Sequence, residues 1–473
     1  MNKTRIVATV GPASNHYETL KALMLEGVNV FRLNFSHGSH ESHKQVIDLI
    51  RQLNRELDKN IAILGDLQGP KLRVGEIENG AITLDPGAHV VFTNEKCIGT
   101  AEKIYVSYPN LHDDVEVGQT ILVDDGKVEL VVIAISHAEK TVTLQAPLGG
   151  IISSKKGINL PNTKISLPCL TEKDLIDLDF IIEQKLDWVA LSFVRKPSDI
   201  AEVKEIINAN KSFIKVIAKI EKPEALENLR EIILIADGVM VARGDLGVEL
   251  PIEKIPLIQK TIIRKCIHRA KPVIMATQMM ESMMENTRPS RAEITDVSNA
   301  VLEGADAVML SGETASGKYP VQVVSTMRKI IEEVEQEEIV YNRNLTPQKH
   351  SPSFLSDALC YNAAKIANEV EANALIAHTR SGYTGFMVSS YRPQCPIYIF
   401  TDRPDLVNQC SLSWGVQKAF FFPNMSLIDD MIAHSIKILK ENKFVKDGDV
   451  VVNTGAMPVK DEGPTNMLKI SKV

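Results

Sequence analysis

The chain has 473 residues, 44% hydrophobic and 24% charged, which is globular usage and excludes a disordered or fibrous protein. Lysine and arginine number 53 against 60 aspartates and glutamates, a net charge of -7. That balance excludes a protein that coats nucleic acid or an anionic membrane by bulk charge, so an anionic substrate needs a local basic cluster.

At about 150 residues per domain the length predicts about three domains. Eight short apolar runs read as strands: Arg5–Val10, Val28–Phe35, Ile61–Leu67, Trp188–Val194, Lys215–Ile220, Gly238–Ala242, Pro272–Ala276 and Ala307–Leu310. Continuous runs of this kind suit parallel strands buried on both faces. Helical patterns alternate with them at Tyr17–Glu26, His43–Asn54, Asp199–Asn208, Pro223–Ile232, Ile255–Arg269, Ala292–Glu303 and Pro320–Glu335. The expectation is an α/β fold built on a (β/α)8 TIM barrel, residues 1–69 and 169–338. Residues 70–168 break the rhythm. They are rich in Val, Ile, Thr and Gly, with turn signals at Asp85-Pro86-Gly87, Glu116-Val117-Gly118 and Asp125-Gly126. They read as an inserted all-β lid domain over the C-terminal strand ends, where barrels do chemistry. A polar linker at 339–352 leads to a C-terminal α/β domain, 353–473, with a helix around Leu355–Glu369 and strands at Ala374–His378 and Pro396–Phe400.

No apolar run reaches the ~18 residues of a membrane span. The N-terminus turns polar too soon for a signal peptide. The six cysteines form no CxxC pair, so neither zinc nor disulfides are expected, and free thiols fit a reducing cytoplasm. Each cysteine reads as a core residue.

Six of the eight strands end in polar clusters. The second ends RLNFSHG, and alternate residues Arg32, Asn34 and Ser36 share a face. A guanidinium, an amide and a hydroxyl on an apolar strand are costly to bury without partners. The third run ends GDLQGPKLR, with Asp66, Lys71 and Arg73. The fifth ends AKIEKPE, placing Lys219 and Glu221 on one face; a structural ion pair is the plainer alternative. The sixth ends ARGDLGVEL, with Arg243 and Asp245 expected on one face and Gly244-Asp245 opening a short helix whose N–H groups suit an anion. The seventh contributes Thr277, and the eighth ends MLSGETASGKYP. Glu221 and Asp245 suit an oxygen-ligated Mg²⁺, and Arg32, Arg73 and Lys219 supply three cations. Mg²⁺ with several cations is the equipment of phosphoryl transfer. Neither GxxxxGK[ST] nor a protein-kinase HRD and DFG set occurs, so this constellation itself must hold the phosphate.

With these motifs the sequence resembles the pyruvate kinase family over nearly its whole length. The resemblance rests on TRIVATVGPAS, NVFRLNFSHGSHESH, GDLQGPKLRVGE, KGINLP, DWVALSFVR, VIAKIEKPEALEN, MVARGDLGVELP, VIMATQMMESM, RAEITDVSNAVLEGADAVMLSGETASGKYP and ALIAHTRSGYTGFMVSSYRP. It implies transfer of a phosphoryl group from phosphoenolpyruvate to ADP, giving pyruvate and ATP. By position, Lys219 would stabilise the phosphoryl group and the enolate. Arg32 and Arg73 would contact the phosphoryl group. Glu221 and Asp245 would hold Mg²⁺, for which Mn²⁺ is expected to substitute. Gly244, Asp245 and Thr277 would receive the substrate carboxylate, and Thr277 or a water beside it would protonate the enolate. Pro12, His37 and Lys156 resemble nucleotide-side residues, although His37 reads equally as a loop histidine.

One departure stands out. Many members need K⁺, at a site resembling Asn34, Ser36, Asp66 and the carbonyl of Leu67. Those members read Thr-Lys-Gly-Pro-Glu after the Asp, where this chain reads Leu67-Gln68-Gly69-Pro70-Lys71, as its K⁺-independent branch does. A Glu-to-Lys exchange moves the local charge by two, and an ammonium near Asp66 is expected to replace K⁺. A solvated hinge lysine is the plainer alternative. In the C-terminal domain, Thr379, Arg380, Ser381, Gly382, Tyr383 and Thr384 follow a strand and open a helix. Alone they read as a helix cap; the resemblance implies an effector site for a phosphorylated metabolite such as AMP or a sugar phosphate, completed by a loop at Thr454–Thr465. It also implies a homotetramer, with the helix at Ala292–Glu303 a candidate interface, and no nucleic-acid or membrane partner. The competing readings are another Mg²⁺-dependent barrel enzyme of phosphoenolpyruvate or pyruvate, such as a lyase, and a non-catalytic regulatory scaffold. The first lacks the lid and C-terminal domain; the second predicts loss of Lys219, Glu221 or Asp245, and all three are present.

Overall fold

The structure is a computed structural model that describes residues 2–161, 163–341, 345–422, 428–458 and 463–473. Eight parallel strands close a barrel: β1 (Arg5–Val10), β2 (Val30–Asn34), β3 (Ala62–Asp66), β4 (Trp188–Leu191), β5 (Lys215–Ile220), β6 (Gly238–Ala242), β7 (Val273–Ala276) and β8 (Ala307–Leu310). β1 closes the ring by pairing with both β2 and β8. Alternation along each strand sorts the side chains. Val7, Leu64, Trp188, Ile217, Met240 and Met309 fill the barrel, while Ile6, Leu33, Val189, Val216 and Val241 face outward under the helices.

Four strands, β1, β5, β6 and β8, span the expected runs, and β2, β3, β4 and β7 are shorter. β4 stops at Leu191 because Phe193 takes φ 56° and turns the chain. The helix expected to begin at His43 starts at His40, where Ser39 and Ser42 form a reciprocal cap. The single helix expected over Pro223–Ile232 is two, Pro223–Glu227 and Leu229–Ile235. Asn228 breaks it at φ −99°, ψ 14°, and its side-chain amide donates to the Arg195 and Glu224 carbonyls.

Between β3 and the helix Glu172–Glu183, the chain builds a six-stranded and a two-stranded sheet around its own core of Val90, Phe92, Ile121, Leu130 and Leu144. A bridge between Arg73 and Gly157 pairs the outgoing and returning segments at its base. Gly69, at φ 67°, is the hinge. A Cβ there would lie 2.7 Å from the Phe193 ring, so only glycine lets the chain pass β4 this closely.

Beyond Ser353 a five-stranded sheet forms, four strands parallel and the last antiparallel. This unit docks on the N-terminal end of the barrel. Leu412 enters the barrel core, Trp188 Nε1 donates to the Gln409 carbonyl at 3.2 Å, and the Arg392 guanidinium pairs with buried Asp306 at 2.9 Å. The opposite, C-terminal end of the barrel is left to the lid. No helix among the described residues is long and apolar enough to cross a membrane.

Candidate active site

Asp66 ends β3 and is 1% exposed. Arg32 on neighbouring β2 donates Nε to Asp66 Oδ2 at 2.6 Å and an outer nitrogen to Thr9 Oγ1 at 3.0 Å. Lys219 on β5 places Nζ 3.3 Å from Asp66 Oδ1, 2.9 Å from Glu221 Oε1 and 2.7 Å from Ser192 Oγ. Burial alone would lower the Lys219 pKa; the charges of Asp66 and Glu221 overturn this and raise it above its ordinary value. Burial likewise works to raise the Asp66 pKa, and Lys219 with Arg32 hold it below the ordinary carboxylate value. The result is a permanently charged ammonium and guanidinium at the mouth of an apolar barrel.

Glu221 follows β5 and is 2% exposed, its second oxygen accepting from the Phe193 backbone N–H at 2.8 Å. Asp245 lies in the short helix Arg243–Glu249 that follows β6. Among the described residues no donor is hydrogen-bonded to it. Its side chain lines the cleft and keeps a solvent-exposed side. Desolvation, then the like charge of Glu221, raises its pKa to about 6. Two crowded carboxylates, one without a donor, fit a hard divalent cation.

Arg243 and Asp245 do not share a face as the strand reading expected. Arg243 is already helical, and residues two apart on a helix point about 200° apart. Arg243 instead turns away to Asp296 at 2.6 Å and to the Ala276 and Thr277 carbonyls. Those bonds hold Thr277 at φ 68°, a strained setting for a β-branched residue. In it the Thr277 hydroxyl accepts from Gly244 N–H at 2.8 Å, so Gly244 and Thr277 form one surface beside Asp245.

Between barrel and lid lies a cleft of about 310 Å³ lined by Lys71, Arg73, Lys156, Lys222 and Asp245, among others. Arg73 donates to the Lys155 carbonyl at 2.9 Å, and Lys156 pairs with Asp124 at 2.9 Å. His37 stands exposed in the turn after β2, and partial burial, then the charges of Lys71, Arg73 and Arg32, depress its pKa. Pro12 is exposed in the turn after β1, outside the cleft lining.

The Asp66 carboxylate is paired with Arg32 and Lys219, and Lys71 acts on it through charge without a direct ion pair. Lys71 is open in the cleft, its pKa lowered first by desolvation and then by Lys219, with Asp245 and Asp66 opposing. Two of the other groups expected around a monovalent cation are also engaged. Asn34 Oδ1 accepts from Ser36 N–H at 3.1 Å, and the Leu67 carbonyl accepts from Ser192 Oγ at 2.7 Å.

Sequence reasoning missed Ser192, which joins Leu67 to Lys219, and the buried pair Lys222–Glu249 at 2.6 Å. A polar residue directly after an apolar strand was the available signal for Ser192. In the C-terminal unit, Gly382 N–H donates to Thr379 Oγ1, Thr384 bonds Thr465, and Tyr383 bonds Asp357. Arg380 lies 3.6 Å from Asp402. Thr379, Arg380, Ser381, Tyr383 and Thr384 border a cavity of about 760 Å³. Of the loop expected at Thr454–Thr465, positions 459–462 lie outside the described residues.

The family model described as pyruvate kinase, barrel domain, matches residues 1–324, and that described as pyruvate kinase, alpha/beta domain, matches 357–471. Pyruvate kinases of Staphylococcus aureus strains USA300 and N315 are each 44% identical over 474 residues, covering 100% of this chain and 81% of theirs. A solved pyruvate kinase from Cryptosporidium parvum superposes with a TM-score of 0.92 at 35% identity, covering 100% of this chain and 96% of its own. Family models, relatives and barrel architecture agree, and the chain belongs to the pyruvate kinase family.

Proposed function

We propose that the cleft between barrel and lid transfers the phosphoryl group of phosphoenolpyruvate to ADP, giving pyruvate and ATP. The observation that carries the residue assignment is the Lys219 ammonium, held within 3.3 Å of both Asp66 and Glu221 beside the Arg32 guanidinium. The bond from phosphorus to the enol oxygen breaks, and a bond to the terminal oxygen of ADP forms. Arg32, Arg73 and Lys219 neutralise the moving charge, and Lys219 faces the enolate oxygen left behind. The helix head at Gly244-Asp245, with Thr277, receives the substrate carboxylate, Gly244 N–H giving up its bond to Thr277 Oγ1 to do so. Thr277, or a water on it, delivers the proton to the enolate carbon. Glu221 and Asp245 would hold Mg²⁺, which supplies charge neutralisation and substrate orientation, and Mn²⁺ fits the same donors. Lys156 and His37 lie on the nucleotide side, with Pro12 at its rim.

Activity needs no K⁺ in this reading. Lys71 contributes fixed positive charge within the cleft, felt by Asp245 and Asp66. The C-terminal cavity at Thr379–Thr384 takes a phosphorylated effector, supported by its hydroxyls, Arg380 and the head of the helix Tyr383–Ser390. The groove of about 810 Å³ between the helices Arg291–Glu303 and Pro320–Val334 supports a subunit contact within a tetramer. Lys219→Met tests the central role. Pyruvate formation is expected to fall at least a thousandfold while phosphoenolpyruvate binding stays measurable by calorimetry; retained turnover would refute the assignment.

A further inference from the structure

Glu249 closes the short helix Arg243–Glu249, four residues after Asp245 and so on the same helix face. Its side chain is 2% exposed. One oxygen, Oε1, accepts from Lys222 Nζ at 2.6 Å and from Asn159 Nδ2 at 3.0 Å. The other, Oε2, is buried with no hydrogen-bond partner among the described residues. These three residues come from three places. Lys222 directly follows Glu221. Asn159 lies in the returning lid strand Ile158–Asn159, two residues from the Gly157 that bridges Arg73. The lid therefore touches both carboxylate-bearing segments through one atom.

A buried ion pair adds little net stability over apolar side chains of the same size, because desolvation offsets the attraction. An orphaned carboxylate oxygen adds further cost. Packing alone does not account for this residue; geometry does. We propose that Glu249 is a positioning residue, a latch that ties the lid, through Asn159, to the segments carrying Glu221 and Asp245. Closing the lid on Glu249 sets Arg73, on the lid side of the cleft, against the two carboxylates on the barrel side. The proposal rests on the assignment of those carboxylates to the phosphoryl-transfer site.

The test uses the full chain with Asn159→Ala and the isosteric Asn159→Asp, which turns a carboxylate toward Glu249. Thermal unfolding within a few degrees of the parent establishes that both fold. Hydrogen exchange at residues 157–159, read without substrate or metal, is expected to quicken at least tenfold in both, more in Asn159→Asp. Turnover is expected to fall about tenfold in kcat, with KM for phosphoenolpyruvate changing less than threefold. Exchange and kcat equal to the parent in Asn159→Asp would overturn the latch. Faster exchange with unchanged kcat would make Glu249 a structural staple and overturn the positioning role. Lower kcat with unchanged exchange would confine Asn159 to a local role and equally overturn it. A parent without ADP-dependent turnover would defeat the reaction assignment, while the exchange result still decides whether Asn159 holds the lid.

Discussion

Asp66 is the residue on which the charges of the site balance. With Arg32 at 2.6 Å and Lys219 at 3.3 Å, its carboxylate separates two cations that would otherwise repel. Asp66→Asn takes the counter-charge from Arg32 and leaves Lys219 with Glu221 alone. The expected result is at least a hundredfold loss of kcat, with the Lys219 pKa falling, read by the basic limb of the pH profile. Asp245 titrates in the opposite sense. With its pKa raised to about 6, it is charged above that value and neutral below it. Mn²⁺ affinity of the substrate-free protein is therefore expected to fall as pH drops through 6. Because the folded pKa exceeds the unfolded one, this group favours the fold at low pH, and that contribution is lost as pH rises through 6. Lys71→Met is expected to lower turnover in K⁺-free buffer and to regain part of it when K⁺ is added. Lys219 and Glu221 were legible because residues two apart on a strand share a face. That Arg32 and Lys219, and not Lys71, pair directly with Asp66 was not legible, because charge balance alone does not say which cation reaches it first.

At the scale of elements, the barrel strands were legible from apolar continuity, four of them at both ends, while the ends of β2, β3 and β4 were not. β4 ends where Phe193 adopts a left-handed backbone, and one expected helix breaks at Asn228; neither leaves a mark in hydrophobic periodicity. The Arg243 reading failed for the same reason, since the chain passes from strand to helix within one residue. The Glu249–Lys222–Asn159 node spans three elements and carries no local signature. The strand Ala374–His378 ends in a histidine whose two ring nitrogens are both buried without partners among the described residues. Burial lowers its pKa to about 4. Its folded pKa lies below the unfolded value of about 6.5, so stability is full above 6.5 and is lost as pH falls toward 4. A shift of that size corresponds to about 3 kcal/mol. His378→Leu is expected to remove most of this acid sensitivity, measured by denaturant unfolding between pH 7 and 4; an unchanged slope would contradict the assignment.

For the whole molecule, the alternation of apolar runs with helical patterns, its break at 70–168 and the polar linker at 339–352 were the signals for barrel, lid and C-terminal unit. How the C-terminal unit docks was not legible. Arg392 and Asp306 are 86 residues apart in the chain, yet form a buried pair with the guanidinium also over the Trp414 ring. Removing one partner of such a pair typically costs about 3–5 kcal/mol, because the other charge stays buried. Arg392→Met is expected to destabilise by about that amount, seen as a lowered midpoint of thermal unfolding.

The central claim is that phosphoryl transfer occurs in this cleft with Mg²⁺ and the chain's own cations. The most direct measurement is pyruvate formation from phosphoenolpyruvate and ADP with Mg²⁺ in buffer free of sodium and potassium. ADP-dependent turnover that rises less than tenfold when K⁺ is added is the predicted result. Turnover that appears only with K⁺, or fails to depend on ADP, would contradict it.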